Sequence, residues 1–389
     1  MTPPIALEDA WSHLLDLVHP LPPEQVATEA ALGRYLVDPL VAARTQPAAD
    51  LSSMDGYALA GGGPWIVTGE SRCGAPYAAA LAPGQAARIS TGAIIPDGAD
   101  RVLIQEEAQR DGDRLALAAA SPERGAYIRP RGMDFTEGDT LLPAGTRLGP
   151  AQIALALAAG QTTVAASRAP RVAVLDCGDE LVDCSTPATN GAMLASMLAT
   201  LPCTVRRIGP IPDDKAALAE ALAQCEDCDL VVTSGGASVG DHDFVRPGLE
   251  AWGAEIAFWR VAIRPGKPLL VARRGETLVL GLPGNPVSAF VTGFLFVLPA
   301  LRRMLGAHDP LPRSEPQRCT ADLPPGGDRG EFLRAIRTPE GIVPMMRRDS
   351  SLLAQLARAD ALILRPPECA GTKAGTDVPV YRLENGGIA

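Results

Sequence analysis

Along residues 7–18, LEDAWSHLLDLV, the apolar positions fall three and four apart, the spacing of a helix with one buried face. Pro20, Pro22 and Pro23 end it. From residue 41 to 127 the period changes. Short apolar runs (PWIVTG, AARIST, DRVLIQEE, DRLALAAA) alternate with Gly- and Pro-bearing turns, which predicts a small β-rich domain. GPAQIALALAAG (149–160) then predicts a helix with proline at its first position and glycine just past its end.

The most regular alternation follows. RVAVLDCG, CTVRRIGPI and CDLVV read as buried strands. Between them TNGAMLASMLATL stacks Met193, Leu194, Met197, Leu198 and Leu201 on one helical face, and DDKAALAEALAQC is a helix that Asp213 is placed to cap. A further helix lies in FVRPGLEAWG. EIAFWRVAIR, PLLVARR and ETLVLGL add strands before a long apolar helix from about residue 287. Strand and helix alternating at this spacing predict a parallel α/β sheet. Beyond Pro310 the runs EFLRAI, GIVPMM, ALILRP and DVPVYRL return to a turn-rich β texture.

Length and composition narrow the picture. A chain of 389 residues is expected to form roughly two to four domains. With 47% apolar residues it has material for real cores, and a net charge of −10 argues against a broad nucleic-acid surface. The apolar stretch 287–301 falls short of the roughly 20 residues a membrane span needs, so it is expected to be a core or subunit-interface helix. The N-terminus carries acids and no basic leader pattern, and the eight cysteines are scattered, as suits a reducing cytoplasm. One CxxC, Cys225-Glu-Asp-Cys228, has no second pair at zinc spacing; it reads first as structural, with a metal or redox role as the alternative.

Ligands of open α/β sheets bind off the carboxyl ends of the strands, where three loops here carry candidate chemistry. DCGDEL presents Asp179 and Glu180. TSGGASVGDHD joins a bare glycine turn (Ser234, Gly235, Gly236) to Asp241 and Asp243. LPGNP (Pro283, Asn285, Pro286) opens directly into a helix. Exposed backbone N–H groups favour an anion, which neighbouring carboxylates would repel. A phosphorylated ligand bound together with a divalent cation wants both. FWRVAIRPGKPL adds Arg260, Arg264 and Lys267, and strand alternation puts the two arginines on one face. No GxGxxG is present, and Gly266-Lys267 lacks the spacing of a P-loop.

Taken in order, SMDGYAL, STGAIIPDGAD, RPRGMD, GDEL, SGGASVGDHDF, RPGKPL, LPGNPVSAF and EFLR resemble the molybdopterin molybdenumtransferase (MoeA) family, related to the E domain of gephyrin, over about residues 5–385. The resemblance implies an elongated homodimer of multidomain chains, α/β plus β in class. It implies a discontinuous first domain (1–40 and 128–168), an inserted β-rich domain (41–127), a molybdopterin-binding α/β domain (169–309) and a small C-terminal β-barrel (310–389). It implies Mg²⁺-dependent insertion of molybdate into adenylylated molybdopterin with release of AMP, in the cytoplasm, with contacts to a molybdopterin adenylyltransferase and to acceptor molybdoenzymes.

By position, Asp179, Glu180, Asp241 and Asp243 would surround metal and phosphate, with Asp213 a further acid. Asp55, Thr91 and Asp134 would approach from the partner subunit, and Ser350 from the last domain. Arg260, Arg264 and Lys267 would hold molybdate or the pterin phosphate. The chain departs from the pattern in carrying Arg260 and Arg264 where lysine is frequent, Asp176-Cys177 where Ser-Thr is usual, and Met133 in place of an acid. An adenylyltransferase of the same α/β fold and a gephyrin-like scaffold are the alternative readings.

Overall fold

Three nearly unbroken apolar strands, Arg171–Cys177, Leu230–Ser234 and Thr277–Leu282, lie side by side and parallel, in the middle of a six-stranded sheet. Such runs, with no polar alternation, suit strands covered on both faces. In the computed structural model, which describes residues 3–235 and 244–383, both faces are indeed covered. Val172, Val174, Val232 and Leu280 point into one core, with Leu14, Leu194 and Leu198. Ala173, Leu175, Val231 and Val279 point into the other, with Leu218, Leu222 and Leu249. The alternation along each strand is the period of two that sorts side chains between the layers.

Thr204–Ile211 extends the parallel set at one edge. At the other, Leu270–Arg274 and Glu255–Trp259 are added antiparallel, so the sheet is mixed rather than parallel throughout as expected. The hairpin is short: Leu270–Arg274 and Thr277–Leu282 are separated by only two residues, too few for the crossover that parallel pairing requires.

The helix Leu7–Leu17 packs into the core of this sheet through Leu7, Ala10 and Leu14, and Trp11 Nε1 donates to Leu295 O at 2.8 Å. The helix that begins at Pro286 runs to Met304, with a wider turn over Gly293–Val297. By length and composition alone it could cross a membrane, but 89% of its apolar window lies buried inside the molecule, the place of a core helix.

Residues 51–117 form a second six-stranded sheet, ordered Arg101–Ile104, Gly56–Leu59, Gln85–Ile89, Trp65–Ser71, Arg114–Leu117 and Ala108–Asp111. Flanking it, Pro23–Ala27 pairs antiparallel with Thr163–Ser167, and Leu40–Val41 with Thr140–Leu142, around a core of Leu36, Leu40, Leu148 and Val164.

In the C-terminal region Gly330–Thr338 pairs with Gly341–Pro344 and Ala361–Arg365, and Asp377–Arg382 lies between Ala361–Arg365 and Ser314–Arg318. A bridge between Cys319 and Ile342 brings the end of Ser314–Arg318 beside Gly341–Pro344. Ile263–Arg264 leaves the α/β region to pair parallel with Gly330–Glu331, so the loop carrying Lys267 is tied to the C-terminal sheet.

Candidate active site

The register of the parallel strands sets the site. Asp176 pairs with Ser234 and Ser234 with Leu282, so three strands end in one row. Their loops leave on the same side and enclose a cavity of about 750 Å³. Glu180, Asp213, Ser234, Gly235, Pro283, Asn285 and Pro286 all line it, so seven residues expected from the sequence meet at one edge. A larger hollow of about 850 Å³, between Tyr35, Phe290, Phe294 and Arg382, touches none of the three loops. The three loops meet at the smaller one.

Backbone geometry holds the edge. Gly235 sits at φ +97°, and a Cβ there would stand 2.3 Å from the carbonyl oxygen of Cys177, so only glycine lets the two loops approach. Its N–H donates to Leu282 O at 3.3 Å, joining the second loop to the third. Asp179 Oδ1 accepts from Asp213 N–H at 2.9 Å, which draws the acid of the first loop beside the start of the Lys215–Ala223 helix. That helix is capped by Asp214, not by Asp213 as expected. Asp214, with extended backbone, accepts from the N–H groups of Ala216 and Ala217, leaving Asp213 to face the cavity.

Two organising residues escaped the sequence reading. Asn190 Nδ2 donates to Ser234 Oγ at 2.9 Å and to Gly284 O at 2.6 Å, bridging the second and third loops, while its Oδ1 is buried without a partner among the described residues. Asp176, buried, accepts from Gly191 N–H at 2.8 Å and from Arg207 at 3.0 Å, fixing the first turn of the helix that carries Asn190. The available signal was an asparagine in the first turn of a helix bordering the sheet edge. Beside them the Cys177 thiol is pushed up to about 12 by burial, with the charges of Asp213 and Asp176 adding, so it stays protonated at neutral pH and is no nucleophile.

The cations are arranged differently from expectation. The strand ends at Trp259, and Arg260 turns the chain at φ +80°. Arg260 and Arg264 therefore do not share a strand face. Arg260 is buried with its guanidinium 4.4 Å from the centre of the Trp259 ring, and Arg264 belongs to the strand paired with the C-terminal sheet. Arg264 lines a small separate cleft with Arg334, Arg347 and Arg348. Lys267 is exposed one residue from Pro268, which borders the main cavity. Arg334, buried, donates to the carbonyls of Arg347, Asp349 and Leu352 and so clamps the following loop. In that loop Ser350 O accepts from Val287 N–H at 3.0 Å, while the neighbouring Ser351 lines the main cavity.

Asp55, Thr91 and Asp134 stand apart from this cavity. Asp55 Oδ1 accepts from Thr91 N–H at 2.7 Å, and pairing of Leu51–Ser52 with Ile128–Arg129 carries the Asp134 loop alongside. All three residues are exposed, and none lines the cavity at the sheet edge. Gly236, Asp241 and Asp243 lie outside the described residues.

Known proteins share this arrangement end to end. Residues 5–160 match the family region described as MoeA N-terminal region (domain I and II), residues 173–303 a "probable molybdopterin binding domain", and residues 317–383 the MoeA C-terminal region (domain IV). The chain is 33% identical to a molybdopterin molybdenumtransferase of Nostoc sp., covering 98% of this chain and 94% of that protein. It is 32% identical to that of Bacillus subtilis, over 98% and 95%. A crystal structure of a molybdopterin biosynthesis moeA protein from Pyrococcus horikoshii superposes with a TM-score of 0.83 at 26% identity, over 98% of this chain and 100% of that one. With all three regions in order and relatives matched over nearly their full length, this chain belongs to the MoeA family of molybdopterin molybdenumtransferases.

Proposed function

We propose that the chain inserts molybdate into adenylylated molybdopterin and releases AMP. The observation that carries the reading is the cavity at the aligned ends of three parallel strands, where Ser234, Gly235 and the start of the Pro286 helix share one lining with Glu180 and Asp213. The helix from Pro286 places the positive end of its dipole at this edge, the end that favours a phosphate. Asn190 Oδ1, buried and without a partner among the described residues, is an acceptor for a donor on the ligand. Asp213 and Glu180 orient the water that cleaves the adenylate phosphoanhydride, so AMP leaves without a covalent enzyme intermediate. The protonated Cys177 agrees with that route. Arg264 and Lys267 are the cations assigned to molybdate, an anion that a planar guanidinium grips with two parallel hydrogen bonds.

The donors at the edge are oxygens, the chemistry Mg²⁺ prefers. Among the described residues no three His, Cys, Asp or Glu side chains converge, so Asp179, Glu180 or Asp213 would supply one or two direct ligands and water the rest. Such an ion neutralises phosphate charge; Asp241 and Asp243 are assigned to the same cluster.

The active unit is read as a homodimer of four-domain chains. The β-rich segment 41–127 is assigned as an insertion in the first domain, and the C-terminal strands up to Arg382 as a small barrel, a reading that the Cys319–Ile342 bridge supports. Beside Asp55, Thr91 and Asp134 the large apolar side chains Met54, Ile94, Tyr127 and Met133 are exposed, a surface suited to a second copy. All eight cysteines are free thiols, which fits a reducing cytoplasm.

The test is a single-turnover reaction of the purified protein with adenylylated molybdopterin, molybdate and Mg²⁺. Molybdate-dependent AMP release that falls at least about 100-fold in Asp213→Asn supports the reading. Consumption of ATP with no response to molybdate would favour an adenylyltransferase, and ligand binding without AMP release a scaffold.

A further inference from the structure

Away from the cavity, the Cys225-Glu-Asp-Cys228 segment is built as a reactive pair. The helix Lys215–Ala223 runs out at Gln224, and the chain folds back so that Cys228 N–H donates to Cys225 O at 3.0 Å. Both side chains belong to one buried cluster, and they differ in surroundings. Cys225 is fully buried, and its Sγ donates to Ala221 O at 3.3 Å. Cys228 lies at the margin of the same core, where Arg206, itself 45% exposed, donates from Nη2 to its sulfur at 3.2 Å. Arg206 also pairs with Asp227 at 2.7 Å, which holds the guanidinium over the thiol. A cation so placed favours thiolate.

The titration behaviour agrees with that geometry. The neighbouring Cys225 thiol and the contact with Arg206 hold the Cys228 thiol below the ordinary cysteine range against the opposing effects of burial and of the Asp227 charge, while Cys228 and burial raise Cys225. The third cysteine of this core, Cys177, is raised by burial and by the charges of Asp213 and Asp176. A closed metal site is not the use: zinc takes four ligands, and among the described residues no third His, Cys, Asp or Glu joins the pair.

We propose that Cys225 and Cys228 form a redox-active dithiol, a site of reversible disulfide formation with small-molecule disulfides of the glutathione class. Cys228, 5% exposed against none for Cys225 and in contact with Arg206, is the attacking sulfur. Its thiolate displaces one thiolate from the small disulfide, which takes up a proton, and a mixed disulfide remains on Cys228. Cys225 then loses its proton and attacks that sulfur, closing the Cys225–Cys228 bond and releasing the second thiol. Two electrons pass from the pair to the small disulfide, and excess small thiol reverses the exchange.

The test equilibrates the reduced full-length protein with mixtures of reduced and oxidised glutathione at neutral pH, without denaturant. Free thiols are then trapped by alkylation and the peptides weighed. Expected is one intramolecular disulfide within 225–228, formed ahead of any change at the exposed Cys73 and Cys184. Cys225→Ser is expected to accumulate one glutathione on Cys228, and Cys228→Ser to leave Cys225 unmodified. Arg206→Met is expected to slow the first step about tenfold. A pair that stays reduced while Cys73 and Cys184 take up glutathione, or that oxidises only in denaturant, would overturn the proposal.

Discussion

The sheet edge at 177–286 and the loops around Asp55 both carry acids, yet they are built in opposite ways. At the sheet edge the strand register, Gly235 and the bridge from Asn190 draw three loops around a cavity inside one chain. Around Asp55 the same kinds of residue are also drawn together, through Thr91 N–H and the pairing of Leu51–Ser52 with Ile128–Arg129, but they face outward among exposed apolar side chains. One region is a concave site on its own. The other is a prepared surface that needs something to cover it, and in the proposed dimer that cover is the sheet edge of the second chain.

The largest effect should come from breaking the first region. Gly235→Ala puts a methyl group 2.3 Å from Cys177 O at a backbone angle that alanine resists, so one loop must move. A displacement of about 1 Å at the site is expected to cost roughly 100-fold in AMP release, checked by single-turnover kinetics beside a chromatographic test of dimerisation. Because the sheet edge is also the face that covers the Asp55 surface in the proposed dimer, the chromatographic test separates lost chemistry from weakened association.

Support from below the sheet should register next. Asp229 accepts from Arg168 and from Arg171 N–H at the start of the parallel strands. Burial pushes its carboxyl up, but Arg168 and the Arg171 N–H outweigh that and hold it below the ordinary carboxylate range. The folded-state value is depressed, so the contribution is present above about pH 4 and is lost as the pH falls through the lowered value. Asp229→Asn is expected to cost about 2 kcal/mol at pH 7 in urea unfolding, and progressively less at lower pH. Asp214→Ala, which removes a helix cap beside the site and no group within it, should cost about 1 kcal/mol and leave AMP release nearly unchanged.

The same contrast separates what could be read in the sequence from what could not. The strands at 171–177, 230–234 and 277–282 were legible because burial on both faces makes them continuous apolar runs, and their loops followed from the rule that sites lie at strand ends. Ser314–Arg318, SEPQR, was not legible. Its place depends on backbone pairing with Asp377–Arg382, and its side chains carry no β signature. Pro23–Ala27 finds its partner at Thr163–Ser167, a contact no local pattern records. The separation of Arg260 from Arg264 rests on one positive φ at a non-glycine residue, held by hydrogen bonds with Ile5 and Leu269. The choice of Asp214 over Asp213 as cap turns on which of two adjacent acids has the extended backbone.

The central claim is that the Asp55 surface of one chain completes the sheet edge of the other. A purified mixed dimer, Asp55→Ala in one chain and Asp213→Asn in its partner, tests it directly by AMP release. If the site is shared between chains, one of the two composite sites is intact, and the mixed dimer keeps roughly half of the normal activity while each parent homodimer is inactive. A mixed dimer as inactive as both parents, or an Asp55→Ala homodimer with full activity, would contradict it.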